Sequence, residues 1–160
     1  MSEKMEPEEV VNLLNIYFDM QTEIVQSHGG DIDKFMGDEL MAIFKGEEMA
    51  DAAVNCAIAI QSGVQKLNSE TGRGIGIGIG INTGPMVMGA MGSKARMDFT
   101  VIGDHVNLAS RLCSSAKPGG ILISEFTENI LNSGNFNLTK LDLIKVKGKE
   151  KAVQVYGVEK

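Results

Sequence analysis

An unbroken alternation of glycine and isoleucine, GIGIGIGI, occupies residues 74–81. Because side chains alternate between the two faces of a strand, the isoleucines share one face and the glycines share the other. β-Branched residues favour strands, and flexible linkers are not half isoleucine. A face made of glycine lets another backbone or a helix approach very closely. We therefore expect a strand here that packs tightly against a neighbouring element.

The composition of the 160 residues is that of an ordinary globular protein, with 43% hydrophobic and 22% charged side chains. We expect them to form a single domain, residues 1–160. The net charge of −6 argues against binding of nucleic acid or of an anionic membrane through bulk electrostatics. No apolar run is long enough to span a membrane and no signal peptide is evident, so we expect a cytoplasmic protein in which Cys56 and Cys113 are reduced.

Helical and strand periodicities divide the rest of the chain. They predict helices over residues 7–28, 49–67, 104–115 and 125–131, and strands over 31–36, 39–44, 98–102 and 121–124. Residues 86–96 lack a clear period and are interpreted as an extended arm or a loop, and residues 136–158 as further strands. This order indicates an α+β fold with helices over one face of a mainly antiparallel, ferredoxin-like sheet, plus a β-rich C-terminal extension.

The sequence GGDIDKFMGDELMAIF, residues 29–44, is typical of a hairpin that turns at Gly37 and Asp38. Lys34 lies on its first strand and Asp38 at its turn. A carboxylate beside a glycine is common in turns, and Lys34 and Asp38 are also compatible with a surface ion pair. The functional interpretation is that Asp38 binds a metal ion and Lys34 contacts a base or a phosphate.

Two further patterns contain polar and charged residues that are suited to binding or catalysis. In FTVIGDHVNLASRL, residues 99–112, Asn107 and Arg111 are four positions apart and therefore share one helix face. Around VKGK, residues 146–149, lysines crowd together in an otherwise acidic chain. Taken singly, these two patterns are explained better by a solvated helix face and by a solubilising turn.

Together with NTGP at residues 82–85 and KPGGILIS at 117–124, these patterns resemble the catalytic domain of class III nucleotidyl cyclases, the adenylyl and guanylyl cyclases. The similarity extends from Glu3 to nearly the last residue. It implies conversion of ATP to 3′,5′-cyclic AMP and pyrophosphate by attack of the ribose 3′-hydroxyl on the α-phosphate. All the patterns occur in the family's order, which makes the resemblance specific.

The resemblance also implies a role for each matching residue. Asp38 matches one of two aspartates that hold a pair of Mg²⁺ or Mn²⁺ ions. Lys34 and Thr100 match the pair that reads the purine, and guanylyl cyclases carry an acidic residue where this chain has Lys34. The remaining matches are Asn107, which orients the ribose, Arg111, which stabilises charge on the α-phosphate, and Lys147, which binds the terminal phosphates.

The family's catalytic domains meet head to tail, with sites at their interface. A chain that carries both the metal aspartate and the readers of purine, ribose and phosphate implies a symmetric homodimer with equivalent sites. The methionine-rich residues 86–96 are expected to contribute to that interface.

The chain departs from the family at its start, where the first strand and its metal aspartate are missing. Glu3 and Glu6 match the family's helical lead-in instead. From Asp38 alone we expect little or no cyclase activity of this chain by itself, and a locally rearranged or swapped dimer. Two other functions stay open: a GGDEF-type diguanylate cyclase, in which Ile32 replaces the glutamate after GGD, and a non-catalytic regulatory dimerisation module.

Overall fold

The computed structural model describes residues 5–146 and 150–159, with the side chain of residue 133 excepted. The chain divides into two compact units between Ile75 and Gly76. The expectation that residues 1–160 act as one domain stays a prediction.

The first unit consists of two helices around a hairpin. Helix α1, Pro7–Ser27, begins with a proline and with a capping box in which Glu6 and Glu9 satisfy each other's free backbone N–H groups. Strands β1, Asp31–Met36, and β2, Glu39–Ile43, follow, and helix α2 spans Met49–Thr71. Helix α2 is a turn longer than predicted, because its last turn is exposed and lacks the apolar stripe used for the prediction. It ends at Gly72, which has a φ of 67°.

The two helices approach closely at Gly63. A Cβ atom there would lie 2.7 Å from the Met20 sulfur, so only glycine fits without a shift of that side chain. The hydroxyl of Tyr17 donates to Asn68 Oδ1 at 2.6 Å, and Asn68 Nδ2 donates to the Ile75 carbonyl at 2.9 Å. These bonds hold the segment after α2 against the helix pair.

The core of the first unit contains Cys56, which is 2% exposed. Burial raises the pKa of its thiol from 9.0 to about 11, so the thiol is protonated at neutral pH. Cys56 and Cys113 are both free thiols; Cys56 is buried and Cys113 is only partly buried.

The second unit is built on a sheet with the strand order β3-β6-β8-β7 within the described residues. In this order, β3 is Ile79–Ile81, β6 is Ile121–Ser124, β8 is Val155–Glu159 and β7 is Asn137–Lys140. Strands β3 and β6 pair in parallel, whereas β8 pairs antiparallel with both β6 and β7. Strands β4, Val87–Ser93, and β5, Arg96–Ile102, form a separate ribbon. The helices are α3, Asp104–Ser115, and α4, Glu125–Ile130, and a 3₁₀ turn covers Ser133–Asn135. The α+β class is as predicted, and residues 86–96 are an arm and not a loop.

The GIGIGIGI sequence forms a shorter strand than predicted, because only Ile79–Ile81 pair regularly with β6. Its glycine face does pack as expected. A Cβ at Gly80 would lie 2.6 Å from the Ala109 carbonyl oxygen and closer still to the Cys113 nitrogen, so α3 rests directly on the backbone of β3.

The tail is less regular than the predicted run of strands. Between β7 and β8 the described residues are irregular apart from a single bridge between Ile144 and Val153. Val153 and Val155 nevertheless join Leu108 and Leu112 of α3 in a buried cluster. The C-terminal segment therefore supports the helix that carries Asn107 and Arg111.

Candidate active site

Asp38 lies at the tip of the β1–β2 hairpin, where the predicted turn is confirmed. Met36 pairs with Glu39, which leaves Gly37 and Asp38 as the two turn residues, and Gly37 has the positive φ of 60° that such a turn requires. Asp38 is exposed, and its carboxylate has no hydrogen bond or ion pair with the described part of the chain. A carboxylate so placed suits a hard divalent cation. Residues 5–146 and 150–159 contain no cluster of three or more His, Cys, Asp or Glu that could hold a metal.

Lys34 lies in β1 opposite Met41 and is half-buried. Its ammonium nitrogen is 3.6 Å from Oδ2 of its neighbour Asp33, whose side chain is only 6% exposed. The ammonium therefore has an anionic contact within its own strand. Sequence reasoning missed Asp33, because neighbouring residues of a regular strand point to opposite faces.

Asn107 and Arg111 are both exposed on α3, whereas Leu108 and Leu112 are fully buried. The helix is amphipathic, so its apolar face holds it against the C-terminal segment and its polar face carries the two candidate residues. The prediction that Asn107 and Arg111 share one face is confirmed.

Thr100 lies on β5 of the ribbon, opposite Gly89 of β4. It is half-buried, between the exposed Phe99 and the buried Val101. Residues of the ribbon are otherwise largely exposed and apolar, with Val87 70% and Phe99 67% exposed.

A polar network lies at the end of β3 and the start of α3. The Ser124 hydroxyl, which is fully buried, donates to Asn82 Oδ1 at 2.6 Å, and Asn82 Nδ2 donates to the His105 carbonyl at 2.9 Å. The hydroxyls of Thr83 and Thr127 are 2.9 Å apart. This network fixes the first turn of α3, two residues before Asn107. The NTGP pattern marks its first half, but no local signal links Asn82 with Ser124.

The predicted site residues fall into two groups. Lys34 and Asp38 belong to the first unit, and Thr100, Asn107 and Arg111 belong to the second. Lys147 lies outside the described residues.

Comparison with known proteins assigns the chain to a family. The model of the family described as "Adenylate and Guanylate cyclase catalytic domain" matches residues 1–160. The chain belongs to this cyclase family. The match favours the cyclase interpretation over a GGDEF-type domain.

Cyclases of known sequence and structure resemble the chain over nearly its whole length. Adenylate cyclase of Anabaena cylindrica is 41% identical over 99% of this chain and 34% of its own. The crystal structure of adenylyl cyclase CyaB from P. aeruginosa is 36% identical, covers 99% of this chain and 86% of that one, and has a TM-score of 0.90. The crystal structure of the guanylyl cyclase Cya2 is 35% identical, covers 98% of this chain and 83% of that one, and has a TM-score of 0.91. The fold is therefore that of cyclase catalytic domains.

Two further solved cyclase domains bear on ligand and assembly. One, 31% identical, is the catalytic core of a rhodopsin-guanylyl cyclase with converted specificity in complex with ATPαS; it covers 98% of this chain and 86% of that one, with a TM-score of 0.88. The other, 27% identical, is a non-canonical dimeric guanylyl cyclase domain of the RhoGC fusion protein from Blastocladiella emersonii; it covers 98% of this chain and 86% of that one, with a TM-score of 0.85.

The chain spans about a third or less of the curated relatives that it matches first, namely 34%, 8% and 25% of their lengths. Among the helices that the structure describes, none combines the length and the apolar character needed to cross a membrane.

Proposed function

We propose that this cyclase domain converts ATP to 3′,5′-cyclic AMP and pyrophosphate in a homodimer. The proposal that ATP is the substrate rests on Lys34, a half-buried cation on β1. By the resemblance, it stands at the position where the family contacts the purine. Adenine presents an acceptor at N1, which suits an ammonium donor, whereas guanine presents an N–H donor there. The Thr100 hydroxyl can donate or accept and so adds little discrimination. A pairing of this kind is typically worth about 1–3 kcal/mol.

The polar face of α3 supplies the groups for the phosphate and the ribose. Asn107 orients the ribose, and the Arg111 guanidinium offsets negative charge that develops on the α-phosphate. The helix backbone that carries both residues is anchored by Leu108 and Leu112. Groups that are preorganised for a developing charge give large electrostatic effects in catalysis. Lys147 binds the terminal phosphates in this proposal.

Asp38 is the described residue that would hold a divalent cation, Mg²⁺ or Mn²⁺, and the family's pattern uses two such ions per site. Bound ions of this kind lower the pKa of the ribose hydroxyl and neutralise phosphate charge. The hard oxygen donors and the exposure of Asp38 fit this role.

The ribbon supports assembly into a dimer. Met97 is 61% exposed, and it lies with Val87 and Phe99 on a ribbon that is unusually apolar for a free surface. A second copy of the chain would cover this surface. In the dimer that the resemblance implies, the metal aspartate of one copy faces the residues of the other copy that contact the purine, the ribose and the phosphates.

The experiment measures products from purified protein supplied with Mn²⁺ and either ATP or GTP. It compares two forms: the chain of residues 1–160, and the same chain preceded by a strand that carries one aspartate. We expect cyclic AMP from ATP and no cyclic GMP from GTP, with weak activity in the first form and strong activity in the second. Activity should be lost in Asp38→Ala and Arg111→Ala and kept in Ser110→Ala, an exposed neighbour on α3.

Two results would overturn the proposal. One is cyclic GMP as the main product. The other is the absence of cyclic AMP from the extended form when that form is folded and dimeric by circular dichroism and light scattering.

A further inference from the structure

Strand β1 contains a bulge at Asp33. Ile32 pairs with Ala42 and Lys34 with Met41, so Asp33 is an extra residue without a partner of its own across the hairpin. A bulge bends its strand and re-aims the side chains around it. As a result, the carboxylate of Asp33 and the ammonium of Lys34 meet on one side of the strand, with Oδ2 and Nζ 3.6 Å apart.

The burial of this ion pair is uneven. The Asp33 side chain is 6% exposed and the Lys34 side chain 36% exposed. Asp33 Oδ2 is buried and accepts no hydrogen bond from the described residues. A carboxylate removed from water in this way needs a nearby cation to offset the loss of hydration. Asp33 therefore depends on Lys34, and it restrains the long lysine side chain in return.

We propose that Asp33 is a positioning residue for purine selection, which holds the Lys34 ammonium where the purine is read. The inference rests on the role proposed for Lys34 above. A lysine has many rotamers, and ordering it before the nucleotide binds removes part of the entropic cost of binding. An ammonium carries three donors, so contact with Asp33 is compatible with donation to a purine acceptor.

The first experiment compares Asp33→Asn with Asp31→Asn in the chain that carries the added strand and its aspartate. Both variants replace a carboxylate by an amide in β1, but Asp31 is exposed. We expect Asp33→Asn to lower the ratio of kcat/KM for ATP over GTP about tenfold, mainly through KM for ATP, with the control unchanged within about twofold. A parallel loss for both nucleotides, or an unchanged ratio, would show a merely structural residue and overturn the inference.

The second experiment uses thermal unfolding of the chain and requires no activity. Lys34→Ala leaves Asp33 buried without its cation, so we expect a lower unfolding midpoint. In the double variant Asp33→Asn/Lys34→Ala most of that loss should be recovered. Additive shifts would overturn the pairing. Because this result does not depend on cyclic AMP production, it separates a failure of this inference from a failure of the proposed function.

Discussion

Adding one methyl group at Gly80, as Gly80→Ala, is expected to disturb the packing of α3 on β3. The new Cβ would lie 2.6 Å from the Ala109 carbonyl oxygen, and it would come closer still to the Cys113 nitrogen. Ordinary van der Waals contact begins at 3.4 Å, so the shortfall is about 0.8 Å (3.4 − 2.6 Å). The contacting atoms are helix backbone and cannot rotate away, so either α3 retreats or β3 distorts.

The energetic cost follows from this geometry. Overpacking costs typically about 1–3 kcal/mol, and a clash with backbone atoms belongs at the upper end of that range. A loss of about 3 kcal/mol lowers the unfolding midpoint of a chain of this size by roughly 6–12 °C. A retreat of α3 also carries Asn107 and Arg111 away from their positions, so we expect kcat to fall as well.

The matched control is Gly74→Ala, at the first glycine of the same alternation. A Cβ at Gly74 meets nothing within 4 Å, and neither Gly74 nor Gly80 has a positive φ. We expect the control to change the free energy of unfolding by less than about 1 kcal/mol, in the stabilising direction. Urea unfolding followed by circular dichroism measures both variants. Equal losses in the two, or a Gly80→Ala variant as stable as the parent, would refute the argument.

Three other outcomes follow from described contacts. Arg111→Ala should lower kcat by about 10²–10³, with Ser110→Ala unchanged, in a steady-state assay of cyclic AMP. Ser124→Ala removes the donor to Asn82 Oδ1 and should cost about 1–3 kcal/mol in urea unfolding. Burial raises the pKa of Cys56 from 9.0 to about 11, so the folded state holds that proton more tightly than the unfolded state. The contribution of this thiol to the free energy of unfolding should therefore be complete below pH 9 and decrease by about 2–3 kcal/mol towards pH 11. Urea unfolding at several pH values measures this decrease, which should be smaller in Cys56→Ala.

The sequence was sufficient to predict the elements that are determined by residues close together in the chain. The β1–β2 turn follows from Gly37, which supplies a positive φ, and α3 follows from apolar spacing that places Leu108 and Leu112 inward. The shared face of Asn107 and Arg111 follows from helix geometry alone. The bulge at Asp33 has no such signal, because it depends on how β2 pairs with β1.

Pairing across the chain explains the other differences. The alternation at residues 74–81 indicates a glycine face correctly, but β6 offers regular partners only to Ile79–Ile81, and Ile77 instead accepts a hydrogen bond from Gly119. The sequence of the ribbon shows no clear alternation of apolar and polar residues, because most of its residues are exposed on both faces. Asn82 and Ser124 are 42 positions apart, so their hydrogen bond could not be read from either neighbourhood.

The cluster that joins Leu108 and Leu112 to Val153 and Val155 has a consequence for the order of events during synthesis. Contacts between residues so far apart in sequence form late, since a long loop must close before they add stability. While the ribosome is still making the chain, α3 can already pack against β3, but it lacks the buried contacts that Val153 and Val155 supply. A chain that stops before Val153 would leave Leu108 and Leu112 without two of their buried partners, so we expect α3 to be less firmly anchored until that segment has been made.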